Sequence, residues 1–161
     1  MELYLVQHGA AKSEFEDPAR PLTEDGRQTV ERVAEFLAAR AVRIGRVEHS
    51  EKLRARQTAE ILALRLRPAE GCVQVTGLAP SDDVEPKRAR LTEESASLML
   101  VGHLPHLGRL VSRLLGLDAN YPVVQFQMGG VVRLDRDAAR TWVVRWVLPP
   151  DLVAPSGGVA D

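Results

Sequence analysis

Two short apolar runs constrain the fold of this chain more than any other feature. Residues 3–6 and 97–101 are almost wholly apolar, and they run into Gln7-His8-Gly9 and Gly102-His103 respectively. A short apolar run with a polar residue at its end is typical of a strand that is buried on both faces of a sheet. Such strands occur in α/β proteins, in which helices cover both faces of a parallel sheet.

Helical patterns alternate with the predicted strands. Thr23 is a plausible N-cap residue, acidic residues follow it, and Val30, Val33 and Leu37 recur at helical spacing. Three more helices are predicted over residues 53–66, 87–95 and 105–115. Further strands are predicted over residues 43–48, 73–78, 124–128, 131–134 and 142–147, the last two as a hairpin. We therefore expect an α/β three-layer sandwich, with a mostly parallel central sheet flanked by helices.

Length and composition indicate one domain inside the cell. The 161 residues fit a single domain, which we place at residues 1–150, with a flexible C-terminal tail at 151–161. The formal net charge of −1 argues against nucleic acid or an anionic membrane as a partner. With one cysteine, no signal peptide and no apolar run near the ~20 residues of a membrane span, the expected location is the cytoplasm.

Three side chains form the candidate site. His8 and His103 each follow a predicted strand, and ligands of α/β sheets bind outside the carboxyl ends of the strands. Arg54 lies near the start of a predicted helix, where a guanidinium can hold phosphate through two parallel hydrogen bonds. Each residue alone is more often a solvated loop or helix residue. Together they indicate one shared pocket.

Four blocks of the sequence resemble the histidine phosphatase superfamily. In that family a strand runs into Arg-His-Gly, Pro-Leu-Thr-x-x-Gly opens the first helix, and Ser-Pro-x-x-Arg-Ala-x-Gln-Thr precedes a block with the second histidine. The blocks here follow in the same order as LYLVQHG at 3–9, RPLTEDG at 20–26, SEKLRARQTA at 50–59 and VGHLP at 101–105. The His-Leu-Pro form and the short chain resemble the SixA-like branch, which implies a phosphoglycerate mutase-like fold and phosphohistidine phosphatase activity.

The resemblance implies a role for each matched residue. His8 would attack phosphorus and form a covalent phosphohistidine, which water then hydrolyses. His103 and Arg54 would bind the non-bridging oxygens, His103 most strongly when a nearby phosphate dianion keeps it protonated. The backbone amides of Gly9 and Leu104 would add donors. No metal or other cofactor is expected, because cationic side chains supply the charge.

The position before the nucleophile departs from the family pattern. Gln7 replaces the family arginine and brings neither charge nor a guanidinium fork. Loss of one such donor costs about 3–4 kcal/mol of transition-state stabilisation. Three outcomes follow: a slow enzyme, compensation by a loop cation such as Lys12 or Arg20, or a phosphate-recognition module that binds phosphorylated partners without turnover.

The leaving group decides between two classes of substrate. Ester-cleaving members of the family use a carboxylate to protonate an alkoxide, and Asp82, Asp83 and Glu85 occupy a comparable loop. The surrounding sequence resembles the SixA pattern, which lacks that acid, and a protonated imidazole leaves readily without it. We therefore expect a histidine-phosphorylated protein as substrate, either a phosphotransfer domain or a phosphocarrier. Small phosphate esters are the alternative.

Overall fold

The structure, a computed structural model, describes residues 1–153 and contains six strands, four α-helices and one 3-10 helix. In chain order the elements are β1 (Glu2–Gln7), α1 (Glu24–Ala39), β2 (Arg46–His49), α2 (Leu53–Leu66), β3 (Cys72–Gln74), α3 (Glu85–Glu93), β4 (Leu98–Gly102), α4 (His106–Leu114), β5 (Val131–Arg136), β6 (Trp142–Leu148) and the 3-10 helix Pro150–Leu152. That last helix and the buried Val153 occupy the start of the predicted tail; residues 154–161 of that prediction lie outside the described residues.

The six strands form one mixed sheet in the order β3-β2-β4-β1-β5-β6. The first four strands in this order are parallel, and β5 and β6 run antiparallel as the predicted hairpin. The expected α/β fold with a mostly parallel sheet is thereby confirmed.

Helices cover both faces of the sheet, and this explains the two apolar runs. On one face, Tyr4 and Val6 of β1 pack with buried residues of α1 and α2. On the other face, Leu3 and Leu5 pack with buried residues of α3 and α4. Because successive side chains of a strand point to opposite faces, a strand covered on both sides must be apolar at every position.

One predicted strand is wrong, and several elements have different bounds, among them β2, which begins at Arg46 and not at residue 43. Residues 124–128 form no strand; Phe126 reaches the core from irregular backbone, while Gln125, Gln127 and Met128 of the same loop are exposed. Strand β3 ends at Gln74, shortly before Gly77 turns the chain with a φ of 79°. Helix α3 begins two residues before the predicted start, with Pro86 in its first turn, where a proline needs no hydrogen-bond acceptor.

The sheet order places the ends of three parallel strands side by side. Strand β4 lies between β2 and β1, and all three end at the same edge of the sheet. Ser50, His103 and His8 are the residues that directly follow β2, β4 and β1. This edge is where a ligand binds in an α/β sheet.

Candidate active site

The two histidines that follow β1 and β4 face each other at the edge of the sheet. Their ring centroids are 5.0 Å apart and the rings are tilted by 53°. The parallel pairing of Gln7 with Gly102 fixes this approach, and the His8 amide extends it by donating to the Gly102 carbonyl at 3.1 Å. The structure thus brings His8 and His103 into one pocket.

His8 is held in the form that a nucleophile requires. Its Nδ1 lies 2.7 Å from the Gly9 carbonyl oxygen, which can only accept, so Nδ1 carries the proton. The opposite nitrogen, Nε2, accepts a hydrogen bond from Arg54 Nε at 3.3 Å. Burial lowers the pKa of His8, and the positive charges of Arg54 and Arg20 act in the same direction. His8 is therefore neutral near pH 7, with a lone pair on Nε2.

His103 is also neutral in this structure. Burial, reinforced by the positive charges around it, lowers its pKa to about 3. Its Nε2 lies 2.6 Å from the Ser50 hydroxyl, and its Nδ1 is buried without a hydrogen-bond partner among the described residues. The protonated state expected from the sequence therefore requires a bound dianion, which would raise the pKa again.

Arg54 lies in the first turn of α2, and the charge of this turn is unusual. Helix α1 carries Glu24 and Asp25 in its first turn, whereas α2 carries no acidic residue there and has Lys52 at its N-cap without a side-chain cap. Cations at a helix N-terminus are unfavourable, each by about 0.3–1 kcal/mol. A phosphate group at this point would reverse that effect, because it is attracted both by the cations and by the free amides of the helix.

A second cation reaches the pocket from the loop that follows β1. The loop is closed by a bridge between Ala11 and Leu22, and Arg20 Nε donates to the Lys12 carbonyl at 3.2 Å. After burial, the positive charge of Arg20 is the next largest cause of the lowered pKa of Arg54, so the two guanidinium groups are close. Of the two loop cations considered from the sequence, Arg20 therefore lies at the pocket, while Lys12 supplies a backbone carbonyl and has an exposed side chain.

The Gly9 amide, which the family resemblance assigns to phosphate binding, has a hydrogen-bond partner within the chain in this structure. Gly9 N–H donates to Thr58 Oγ1 at 3.0 Å, and the Thr58 hydroxyl donates in turn to the Arg54 carbonyl at 2.8 Å. The amide is therefore occupied in joining β1 to α2. Glycine is required at this position for packing, because a Cβ atom would lie 2.8 Å from Val30 Cγ2 of α1.

The two remaining predicted site residues flank the histidines. Gln7 is 8% exposed, and its Oε1 has no hydrogen-bond partner among the described residues. An amide oxygen left unpaired in this way is costly unless a ligand or water satisfies it. Leu104 directly follows His103 and is exposed at the rim of the pocket.

Three residues that position the site were not among those predicted from the sequence. Ser50 contacts His103, Thr58 holds Gly9, and Gln57 Oε1 accepts from Leu22 N–H at 2.8 Å. The last contact fixes the end of the loop that carries Arg20. All three residues lie in the block at 50–59. The resemblance of this block to the family is the sequence signal that could have identified them.

The acidic residues of the loop before α3 are engaged elsewhere. Asp82 accepts from the Ala79 amide at 2.8 Å, and Asp83 accepts from the Glu85 amide at 3.0 Å. Glu85 pairs with Arg113 and Arg88, and these contacts lower its pKa, so it holds no proton to donate near neutral pH. None of the three carboxylates hydrogen-bonds to a histidine or arginine of the pocket.

Two further features concern possible metals and membranes. Within residues 1–153, no three His, Cys, Asp or Glu side chains gather closely enough to hold a metal ion. In the same part of the chain, no helix is both long and apolar enough to cross a membrane.

Comparison with known proteins points to one family. Residues 3–78 match the sequence profile of the histidine phosphatase superfamily (branch 1). The chain is 34% identical over 119 residues to the phosphohistidine phosphatase SixA of Escherichia coli K12, which covers 71% of this chain and 74% of that protein. It is 36% identical over 149 residues to an uncharacterized Picosynechococcus protein, which covers 87% and 88% of the two chains. The structure of the protein histidine phosphatase SixA complexed with tungstate superimposes with a TM-score of 0.84 at 28% identity, covering 96% of this chain and all of the other.

Proposed function

The chain belongs to the histidine phosphatase superfamily and to its SixA-type branch, and from this premise we propose that it hydrolyses phosphohistidine on a protein substrate. The single observation that carries the proposal is the state of His8. Its Nδ1 proton is fixed by the Gly9 carbonyl, its Nε2 lone pair accepts from Arg54 Nε, and the centroid of the His103 ring lies 5.0 Å from that of His8.

The reaction proceeds in two displacements on phosphorus. The Nε2 lone pair of His8 attacks the phosphoryl group, the P–N bond to the substrate histidine breaks, and the departing imidazole keeps the proton that made it a leaving group. Water then attacks the phosphorus bound to His8, the P–Nε2 bond breaks, and inorganic phosphate leaves. Splitting one displacement into two in this way lowers the barrier of each step.

Side-chain cations would stabilise the transferring phosphoryl group. Arg54 and Arg20 bring two guanidinium groups to the pocket, and His103 adds a third charge when the bound dianion raises its pKa and it takes up a proton from solvent. Arg20 would thus compensate for the charge missing at Gln7. With this set of donors we propose that the reaction needs no metal ion, a role that metals otherwise fill in phosphoryl transfer.

The engaged carboxylates favour a phosphoramidate over an ester. An alkyl phosphate needs an acid at the leaving oxygen, and the three acidic residues before α3 are tied to backbone amides or to arginines. The carboxylate whose charge acts on Arg54 is Glu51, which is exposed and pairs with Lys52 at 3.6 Å. Ester hydrolysis remains the second candidate, with Glu51 as its proton donor.

Phosphate release from two substrates separates the candidates. We expect the protein, in excess EDTA, to release phosphate from a phosphotransfer domain phosphorylated on histidine, and to act on an alkyl phosphate at least about 100-fold more slowly. Comparable rates on both, with loss of only the ester activity in Glu51→Gln, would favour the ester phosphatase. Release from neither would contradict both candidates and leave a phosphate-recognition module.

A further inference from the structure

A groove of about 290 Å³ lies along helix α4 and shares Leu104 with the rim of the candidate active site. It begins at Leu104 and Pro105, the two residues after His103. Gly108 and Ser112 of α4 form its floor, and residues 119–124 form the opposite wall. A protein that presents a side chain to His8 past Leu104 would therefore bring its surface next to the groove.

The opposite wall of the groove is fixed to the helix. The hydroxyl of Ser112 lies 2.6 Å from the Tyr121 carbonyl oxygen, and Ser112 is buried. The Tyr121 amide in turn donates to the Asp118 carbonyl at 3.0 Å. The groove is therefore a built feature and not a gap beside a loose loop.

The lining of the groove exposes apolar side chains. Leu104, Tyr121 and Val123 are 40%, 61% and 38% exposed, and they are three of the eleven large apolar side chains that residues 1–153 leave exposed. Exposed apolar surface gathered in one concave place marks a site of interaction. A tyrosine at such a place is typical of protein interfaces.

Glycine at position 108 has no explanation inside the chain. Gly108 lies within α4, where glycine is less favourable than alanine. Packing does not demand it, because an added Cβ would meet only Leu104 Cδ2, at 3.9 Å. A side chain at position 108 would instead occupy open space at the floor of the groove.

The charge of the groove indicates the partner. Arg109 is the one charged residue in the lining, and it is exposed and without an ion pair among the described residues. An unpaired arginine beside an apolar surface favours a partner that brings a carboxylate to the rim. The reacting histidines are only 9% and 2% exposed, so the phosphoryl group must project from the partner on a side chain.

We propose that this groove docks the protein that carries the phosphohistidine, through an apolar patch next to that histidine and a carboxylate that pairs with Arg109. The inference rests on the proposed function and assigns to the groove the selectivity for a protein over a small molecule. Free phosphohistidine fills the catalytic pocket but does not reach the groove.

The test compares kcat/KM on two substrates, a phosphotransfer domain phosphorylated with phosphoramidate and free phosphohistidine. We expect Gly108→Leu, which fills the groove, and Arg109→Glu to lower kcat/KM on the domain about tenfold or more, and to leave that on free phosphohistidine within about twofold. Gly108→Ala, which favours the helix, should fold at least as well as the wild type and show a smaller loss on the domain alone.

Arg43→Glu is the matched control for charge. Arg43 is exposed and precedes β2, so it lies at the sheet edge opposite the site, and its reversal should alter neither substrate. Equal losses on both substrates in the groove variants, or no loss on the domain, would overturn the docking role while leaving the proposed function intact. A wild type that is inactive on both substrates would instead contradict the proposed function itself.

Discussion

At the scale of single residues, burial sets the protonation state of the histidines in the site. His8 and His103 are kept neutral, His8 with its Nε2 lone pair directed at Arg54. Positive charge comes from the guanidinium groups of Arg54 and Arg20, which both act on the pKa of His8. Under the proposed function, Arg20 of the loop supplies the charge that the family arginine would bring at position 7.

If Arg20 supplies the charge missing at position 7, an arginine at position 7 should rescue the activity lost when Arg20 is replaced. We expect Arg20→Gln to lower kcat/KM by about 100- to 1,000-fold, the loss typical of one preorganised donor. Adding Gln7→Arg to that variant should restore most of the loss, because the new guanidinium occupies the family position. Phosphate release under saturating and limiting substrate provides the measurement. A double variant as slow as Arg20→Gln would show that Arg20 does not fill this role.

A second prediction concerns a buried histidine outside the mechanism. His106 is fully buried in α4, and neither ring nitrogen has a hydrogen-bond partner among the described residues. We expect His106→Leu to raise the free energy of unfolding by about 1–2 kcal/mol, because it removes two unpaired polar groups at similar volume. His106→Asn keeps a polar group and should give no such gain in urea denaturation. A leucine variant less stable than the wild type would be inconsistent with this account.

At the scale of elements, the site is assembled by contacts between segments that are distant in the chain. Pairing of β1 with β4 joins the two histidines, and α2 supplies Arg54, Gln57 and Thr58 to three different tasks. Helix α1 meets the loop after β1 where the Thr23 amide donates to the Ala10 carbonyl. The position of Arg20 therefore depends on the contacts that α1 and α2 make with the loop that carries it.

The cap of α1 can be tested by a single substitution. Thr23 Oγ1 accepts from the Gly26 amide at 3.0 Å, an N-cap bond that satisfies one free donor of the helix. We expect Thr23→Ala to lower the free energy of unfolding by about 1 kcal/mol, and Thr23→Ser to retain most of it. Thermal unfolding of the three proteins gives the comparison, and an alanine variant as stable as the wild type would refute the role of the cap.

Elements with a strong local pattern could be predicted from the sequence. Features that depend on contacts between distant residues could not. The apolar runs fixed β1 and β4, and hence the places of His8 and His103. The hydrogen bond of the Gly9 amide could not be predicted, because its partner Thr58 lies 49 residues further along the chain, in α2. Likewise, residues 124–128 alternate like a strand, but Phe126 enters the core from a loop.

At the scale of the whole molecule, three buried histidines link stability to pH. Burial lowers the pKa of His8, His103 and His106 below the ordinary value of 6.5. The unfolded chain binds protons at these positions below pH 6.5, while the folded chain stays neutral to a lower pH. The contribution of these histidines to the free energy of unfolding is therefore complete above pH 6.5 and is lost as the pH falls. For His103 the loss continues down to its pKa of about 3.

We accordingly predict that the protein is less stable at pH 5 than at pH 7.5. Each fully shifted histidine contributes up to about 1.4 kcal/mol per pH unit below 6.5. Carboxylates with lowered pKa values, such as Glu48, stay ionised in the folded chain, and most of their contribution is lost only below the ordinary value of 4.5, under this window. Urea denaturation at several pH values should show a shallower decline for His106→Leu, which lacks one of the three groups. Stability that is constant from pH 7.5 to 5 would contradict the burial of neutral histidines.

The central claim is that His8 carries the phosphoryl group during turnover, and trapping that group tests it most directly. The protein would be mixed with a phosphotransfer domain labelled with radioactive phosphate on histidine, quenched at alkaline pH to preserve phosphohistidine, and digested for mass spectrometry. Label on the peptide that contains His8, absent in His8→Ala and retained in His49→Ala, is the result that this account predicts. Phosphate release without label on His8, or release undiminished in His8→Ala, would contradict it.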